Sequence, residues 1–139
     1  MMALSIILND IMATDGIEYN YRYLLEGNYQ PDQKSRDSWK VVDVRRLRDD
    51  YSNTLEDYQK YIDISFRAIK EHGKVAICCS YGISRSNAIA LGVLVKYYGM
   101  NFSEALQLIK HKVKKADIKE MHIVKLKELL EQDKEEIVK

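Results

Sequence analysis

The sequence predicts one α/β domain, residues 1–139, with a small central β-sheet flanked by helices. Three observations carry this. The 139 residues and 16.2 kDa are close to the common size of a single domain. Hydrophobic residues at 46% and charged residues at 31% are ordinary globular usage, which excludes a chain too polar to bury a core. Strand-like apolar runs alternate with helix-length amphipathic segments as far as Cys79, and the rest reads as helices.

Residues 4–8 (Leu-Ser-Ile-Ile-Leu) read as a short buried strand. Tyr19, Tyr21 and Tyr23 alternate at period two, which suits a strand or an extended loop. Gly27, Asn28, Pro31 and Asp32 mark residues 26–38 as a surface loop. Trp39 to Val44 is apolar and β-branched enough for a second strand. Leu55, Tyr58, Ile62, Phe66 and Ile69 recur at spacings of three and four, predicting a core-facing helix from about Thr54 to Glu71 that stops at Gly73. Lys74 to Cys79 is a continuous apolar run, the pattern of a strand buried on both faces. Ser86 to Tyr98 reads as an apolar helix ending at Gly99, and Ser103 as the cap of a further helix to about Val113. Asp117 with Glu120 has the spacing of a capping box opening a last helix to about Gln132. The Lys110, Lys112, Lys114, Lys115 cluster reads as a solvated helix end.

Lys plus Arg is 22 and Asp plus Glu is 21, a net charge of +1. This balance argues against a nucleic acid or an anionic membrane as partner. The first apolar run, Ile6-Ile7-Leu8, ends at Asn9-Asp10, too short for a signal sequence or a membrane span. A soluble, cytoplasmic protein is expected; oligomeric state has no signal in the sequence. Cys78 and Cys79 are adjacent, with Cα atoms about 3.8 Å apart across a trans peptide, shorter than the usual disulfide span of about 4.4–6.8 Å. A relaxed bridge between them is therefore disfavoured. His72, His111 and His122 have no metal-site spacing. Alone, the two cysteines read as small hydrophobes at the end of a buried strand.

What changes that reading is Cys79-Ser80-Tyr81-Gly82-Ile83-Ser84-Arg85-Ser86. A buried strand delivers Cys79 into a short loop, and a helix starts near Arg85. Such a loop turns backbone N–H groups inward, and the helix N-terminus adds the positive end of its dipole, together an anion cradle. Gly82 supplies backbone freedom for the turn. Arg85 offers a planar fork matched to two phosphate oxygens. A thiol aimed at such a positive site favours the thiolate, the nucleophilic form. These are the parts of a phosphate-ester hydrolase working through a covalent thiophosphate. Cys-x-x-Gly-x-Ser-Arg-Ser arises by composition in only on the order of one in 10⁴ chains of this length.

This loop resembles the signature of the cysteine-dependent protein phosphatases, and its Ser-Arg-Ser ending resembles the dual-specificity branch. The resemblance implies a compact dual-specificity-phosphatase-like fold. It makes Cys79 the nucleophile, Arg85 the phosphate clamp, and Ser80, Tyr81, Gly82, Ile83, Ser84 and Arg85 the phosphate-binding loop. Ser86 matches the hydroxyl that stabilises the departing sulfur. Family members carry a general-acid Asp about thirty residues before the Cys, followed by an amphipathic helix. Aligning Leu55 and Tyr58 with that helix puts Asp49 on the acid position, with Asp50 beside it as the alternative. Met100 to Lys110 resembles the family's next helix, so the likeness covers about residues 39–130. Metal and organic cofactors are not implied. The expected partner is a phosphorylated protein, because the loop carries no charge besides Arg85, and the branch resemblance implies dephosphorylation of tyrosine and of serine or threonine. Tyr19, Tyr21, Tyr23 and Tyr29 read as sheet packing before pocket wall.

Three departures stand out. Cys78 occupies the position before the nucleophile where the family usually has His. The N-terminal strand hairpin that opens most members is short or missing, and residues 9–38 align with nothing. Val113-Lys114 replaces an Arg-Pro pair often found before the last helix. Two rival readings stay open: a non-catalytic phosphate-binding module, supported by the missing His, and a sulfur- or arsenate-handling enzyme, suggested by the paired cysteines.

Overall fold

The structure, a computed structural model, describes residues 4–8, 11–14, 40–72, 75–79, 84–113 and 116–138. Among them, four strands form one sheet in the order β1-β2-β4-β3: β1 (Leu4–Leu8), β2 (Ile11–Thr14), β3 (Lys40–Asp43) and β4 (Val75–Cys78). β1 and β2 are antiparallel, whereas β4 pairs in parallel with both β2 and β3. The central β4 is buried along its whole length, as its uninterrupted apolar run requires. The expectation of a short or missing hairpin is thus settled as short: β1 and β2 span five and four residues. β2 is hidden in the sequence because Asn9-Asp10 reads as a stop, yet that pair lies between two paired strands. The tyrosines at 19, 21, 23 and 29 and the 26–38 loop lie outside the described residues.

The helices among the described residues are α1 (Leu55–His72), α2 (Arg85–Lys96), α3 (Phe102–Lys112) and α4 (Glu120–Val138). α1 opens with a reciprocal cap, in which Asp57 N donates to Thr54 Oγ1 at 3.1 Å and Thr54 N to Asp57 Oδ2 at 2.8 Å. Its most buried line runs Tyr58, Tyr61, Ile62, Ser65 and Ala68. The expected stripe is therefore turned slightly, and Phe66, half-buried, stacks on Tyr97 with ring centroids 3.9 Å apart. α2 is the central helix, with every residue from Ser86 to Leu94 buried. Gly92 is required there: a Cβ would collide with Ile62 Cδ1, so the missing side chain lets α1 and α2 approach. Gly99 ends the segment at a φ of +71°, where glycine is favoured.

Two caps differ from expectation. Asn101, not Ser103, caps α3, its side chain accepting from Ser103 N at 2.8 Å. α4 starts at Glu120, so Asp117 lies before the helix and the anticipated box does not form. Residues 116–119 instead run irregularly toward the loop that carries Ser84, and Lys119 N donates to Ser84 Oγ at 3.0 Å. His122, Leu126, Leu129 and Leu130 form the buried face of α4. No helix among the described residues is long and apolar enough to cross a membrane.

Candidate active site

The parallel β3–β4 pair sets the geometry of the site. Asp43 pairs with Cys78, and Val44 N donates to Cys78 O at 2.9 Å, so both chains leave the sheet side by side at the same edge. One becomes the segment carrying Asp49; the other delivers Cys79. This is the carboxyl end of parallel strands, where α/β folds place their ligands. Cys79 is 2% exposed, and its Sγ lies 3.3 Å from Ser86 Oγ on the first turn of α2. No acidic side chain occupies that first turn, and Ser84 makes no side-chain cap, being bonded to Lys119 N. The positive end of the α2 dipole is thus offset by no acidic side chain on its own first turn. Ser80, Tyr81, Gly82 and Ile83 lie outside the described residues.

Arg85 is anchored on the neighbouring loop. Its Nη1 donates to Arg45 O and to Leu47 O, both at 3.0 Å, and its Nε lies 3.7 Å from Asp49 Oδ2. These bonds fix the guanidinium plane against the 45–49 turn with only 15% of the side chain exposed. Asn53, 4% exposed, closes the same segment: Arg48 N donates to Asn53 Oδ1 at 3.0 Å and Asn53 Nδ2 to Arg48 O at 2.7 Å. Two adjacent carboxylates leave this turn in different directions. Asp50 accepts from Ser52 N and Ser52 Oγ and stays exposed. Asp49 turns inward to Arg85.

Two further residues meet Asp49, and the sequence reading passed over both. Lys119 Nζ lies 3.3 Å from Oδ2, and His122 Nε2 is 2.9 Å from Oδ1. His122 is fully buried, and its Nδ1 is 2.6 Å from Tyr58 Oη, which also accepts from Asn53 Nδ2 at 3.2 Å. The available signal was its position: His122 sits four residues before Leu126 on an otherwise apolar stripe. Partial burial pushes the Asp49 carboxyl up, but the His122 hydrogen bond, Lys119 and the Arg85 charge outweigh it and hold the group below its usual range. Burial pushes the His122 imidazole down, outweighing the opposing pull of Asp49, so the ring is neutral at pH 7.

The match to known families decides what kind of domain this is. Residues 5–132, nearly the whole chain, match the model of the dual specificity phosphatase catalytic domain. The chain belongs to the dual specificity phosphatase family. The match begins on β1, well before the 39–130 span of the sequence resemblance. Dual specificity protein phosphatase 1B of Arabidopsis thaliana is 34% identical over 73 residues, 52% of this chain and 42% of that protein. Dual specificity protein phosphatase 1 from the same plant is 36% identical over 73 residues, 52% of this chain and 37% of its own length. The aligned segment thus covers less than half of either relative. The crystal structure of human DUSP28 superposes with a TM-score of 0.74 at 15% identity, covering 94% of this chain and 95% of that one. Tk-PTP in its active form gives 0.68 at 21% identity, covering 92% and 96%. These likenesses establish the dual specificity phosphatase fold, with its mixed sheet flanked by helices.

Proposed function

We propose that this dual specificity phosphatase domain hydrolyses phosphate monoesters on tyrosine and on serine or threonine of intracellular, cytoplasmic proteins, through a cysteinyl-phosphate intermediate. One observation carries the reading: Cys79 with Ser86, and Arg85 with Asp49, converge from β4, α2 and the β3–α1 segment at one sheet edge. In the first step the Cys79 thiolate attacks phosphorus in line. The bond to the substrate oxygen breaks, and that oxygen takes a proton from Asp49. Arg85, the loop amides of residues 80–84 and the N-terminus of α2 balance the charge on the equatorial oxygens. In the second step water attacks phosphorus, Asp49 as carboxylate takes the water's proton, and the S–P bond breaks. The Ser86 hydroxyl donates to the sulfur as its charge returns.

The resting electrostatics fit the second step without change, since Asp49 is held ionised. The first step needs its proton. A phosphate dianion bound at Arg85 offsets the positive charge beside Asp49 and raises its proton affinity, so substrate entry itself prepares the acid. The same observation supports one alternative, a phosphate-binding module without turnover, if Asp49 stays ionised when phosphate binds. Hydrolysis of para-nitrophenyl phosphate across about pH 5 to 8 separates the two. The enzyme reading predicts turnover that Cys79→Ser abolishes and Asp49→Ala, but not Asp50→Ala, reduces. An inert parent that still binds orthovanadate selects the binding module.

A further inference from the structure

The proposed chemistry leaves one buried titratable chain unused. It runs Arg48 backbone, Asn53, Tyr58, His122, Asp49. Its hydrogen positions can be deduced from one end. Asn53 Oδ1 accepts from Arg48 N, and Nδ2 donates to Arg48 O, so the amide has only one orientation. Nδ2 therefore faces Tyr58 as a donor, and the Tyr58 hydroxyl, accepting from it, directs its own proton at His122 Nδ1. A neutral ring that accepts at Nδ1 carries its proton on Nε2. That N–H points at Asp49 Oδ1.

We infer that His122 is a positioning residue for Asp49: as the Nε2–H tautomer set by Asn53 and Tyr58, it occupies Oδ1 and leaves Oδ2, the oxygen facing Arg85 and Lys119, to carry the acid's proton. The inference rests on the reading of Asp49 as the acid. It assigns the proton to one oxygen, and it makes a core amide five residues from Arg48 the determinant of which oxygen that is. The His122 N–H binds the carboxylate more strongly than the neutral acid, so its loss makes Asp49 easier to protonate. The groups that bear on Asp49 are Arg85 on α2, Lys119 before α4, and His122 and Tyr58 themselves, with Arg48 and Asp50 its neighbours in sequence. Of these, only His122 touches Oδ1.

Two NMR measurements test this without requiring turnover. In the unaltered protein, imidazole ¹⁵N shifts at neutral pH must report His122 protonated at Nε2 and bare at Nδ1; a proton on Nδ1, or on both, overturns the inference. The ¹³C carboxyl titration of Asp49 is then followed in His122→Leu and His122→Gln, with Asp50→Asn used to assign the signal. Leu, which cannot donate, should raise the Asp49 midpoint by about one pH unit. Gln, which can donate from near the Nε2 position, should return most of the parent value. An unmoved midpoint in His122→Leu, or no difference between Leu and Gln, overturns it. Should His122→Leu fail to fold, the tautomer in the unaltered protein still decides. In turnover, His122→Leu should move the alkaline limb of kcat/KM upward in the parent and have no effect in an Asp49→Asn background; independent, multiplying losses would mark His122 as packing only. An inert parent with the expected tautomer and titration would instead count against the phosphatase reading and leave the positioning intact.

Discussion

Replacing Ser86 by Ala isolates the second half-reaction. The hydroxyl lies 3.3 Å from Cys79 Sγ, and Ser86 is fully buried with Cys79 only 2% exposed, so water does not replace the lost donor. A hydrogen bond to a charged group contributes about 1.5–3 kcal/mol. That bond is needed most when the thiolate re-forms, as the S–P bond breaks. At about 1.4 kcal/mol per tenfold in rate, dephosphorylation of the intermediate should slow about 10- to 100-fold. Phosphorylation of Cys79 should slow less, because the thiolate is then the reactant. Stopped-flow release of para-nitrophenol therefore changes shape: Ser86→Ala gives a fast burst close to one equivalent of sites, then a slow steady state. Equal slowing of burst and steady state, or a normal steady state, would refute the assignment of Ser86 to the leaving sulfur.

Three other outcomes follow from the packing. Burial holds the His122 imidazole below its ordinary 6.5, so as pH falls past that value the unfolded chain takes up a proton that the folded chain does not. Stability should be full above about pH 6.5 and fall below it by at most about 1.4 kcal/mol per pH unit, and urea titrations of His122→Gln should lose this slope. Gly92→Ala places a Cβ 2.6 Å from Ile62 Cγ1, and overpacking of about 1–3 kcal/mol should outweigh the roughly 1 kcal/mol gained in helix propensity. Its melting temperature should drop, and Ile62→Val, which removes the colliding Cδ1, should cost less in that chain than in the parent. Cys78 is fully buried on β4, so Cys78→Ser should lower stability yet keep turnover that Cys79→Ser removes.

Local patterns were readable where one residue type had one physical use. The apolar run 75–78 read as a buried strand, which β4 is, and the helix start expected near Arg85 is where α2 begins. The preference for Asp49 over Asp50 came from the family resemblance alone, since by residue type and position both are turn acids. What separates them is Ser52, which holds Asp50 outward, and Asn53, which shapes the turn that aims Asp49 inward. His122 was harder still, being 73 residues from the group it bonds. Only the folded position of α4, started two residues later than the Asp117–Glu120 pattern suggested, brings it there. β2 was hidden because a four-residue strand carries too little periodicity to declare itself beside β1.

The most direct test of a cysteinyl-phosphate intermediate is to locate the phosphoryl group. Ser86→Ala is mixed with para-nitrophenyl phosphate, quenched during turnover and mapped by mass spectrometry of its peptides. The account predicts phosphate on Cys79 sulfur, absent from Cys78 and lost in Cys79→Ser. Turnover with no phosphoryl-enzyme, or with phosphate on Cys78, would contradict it.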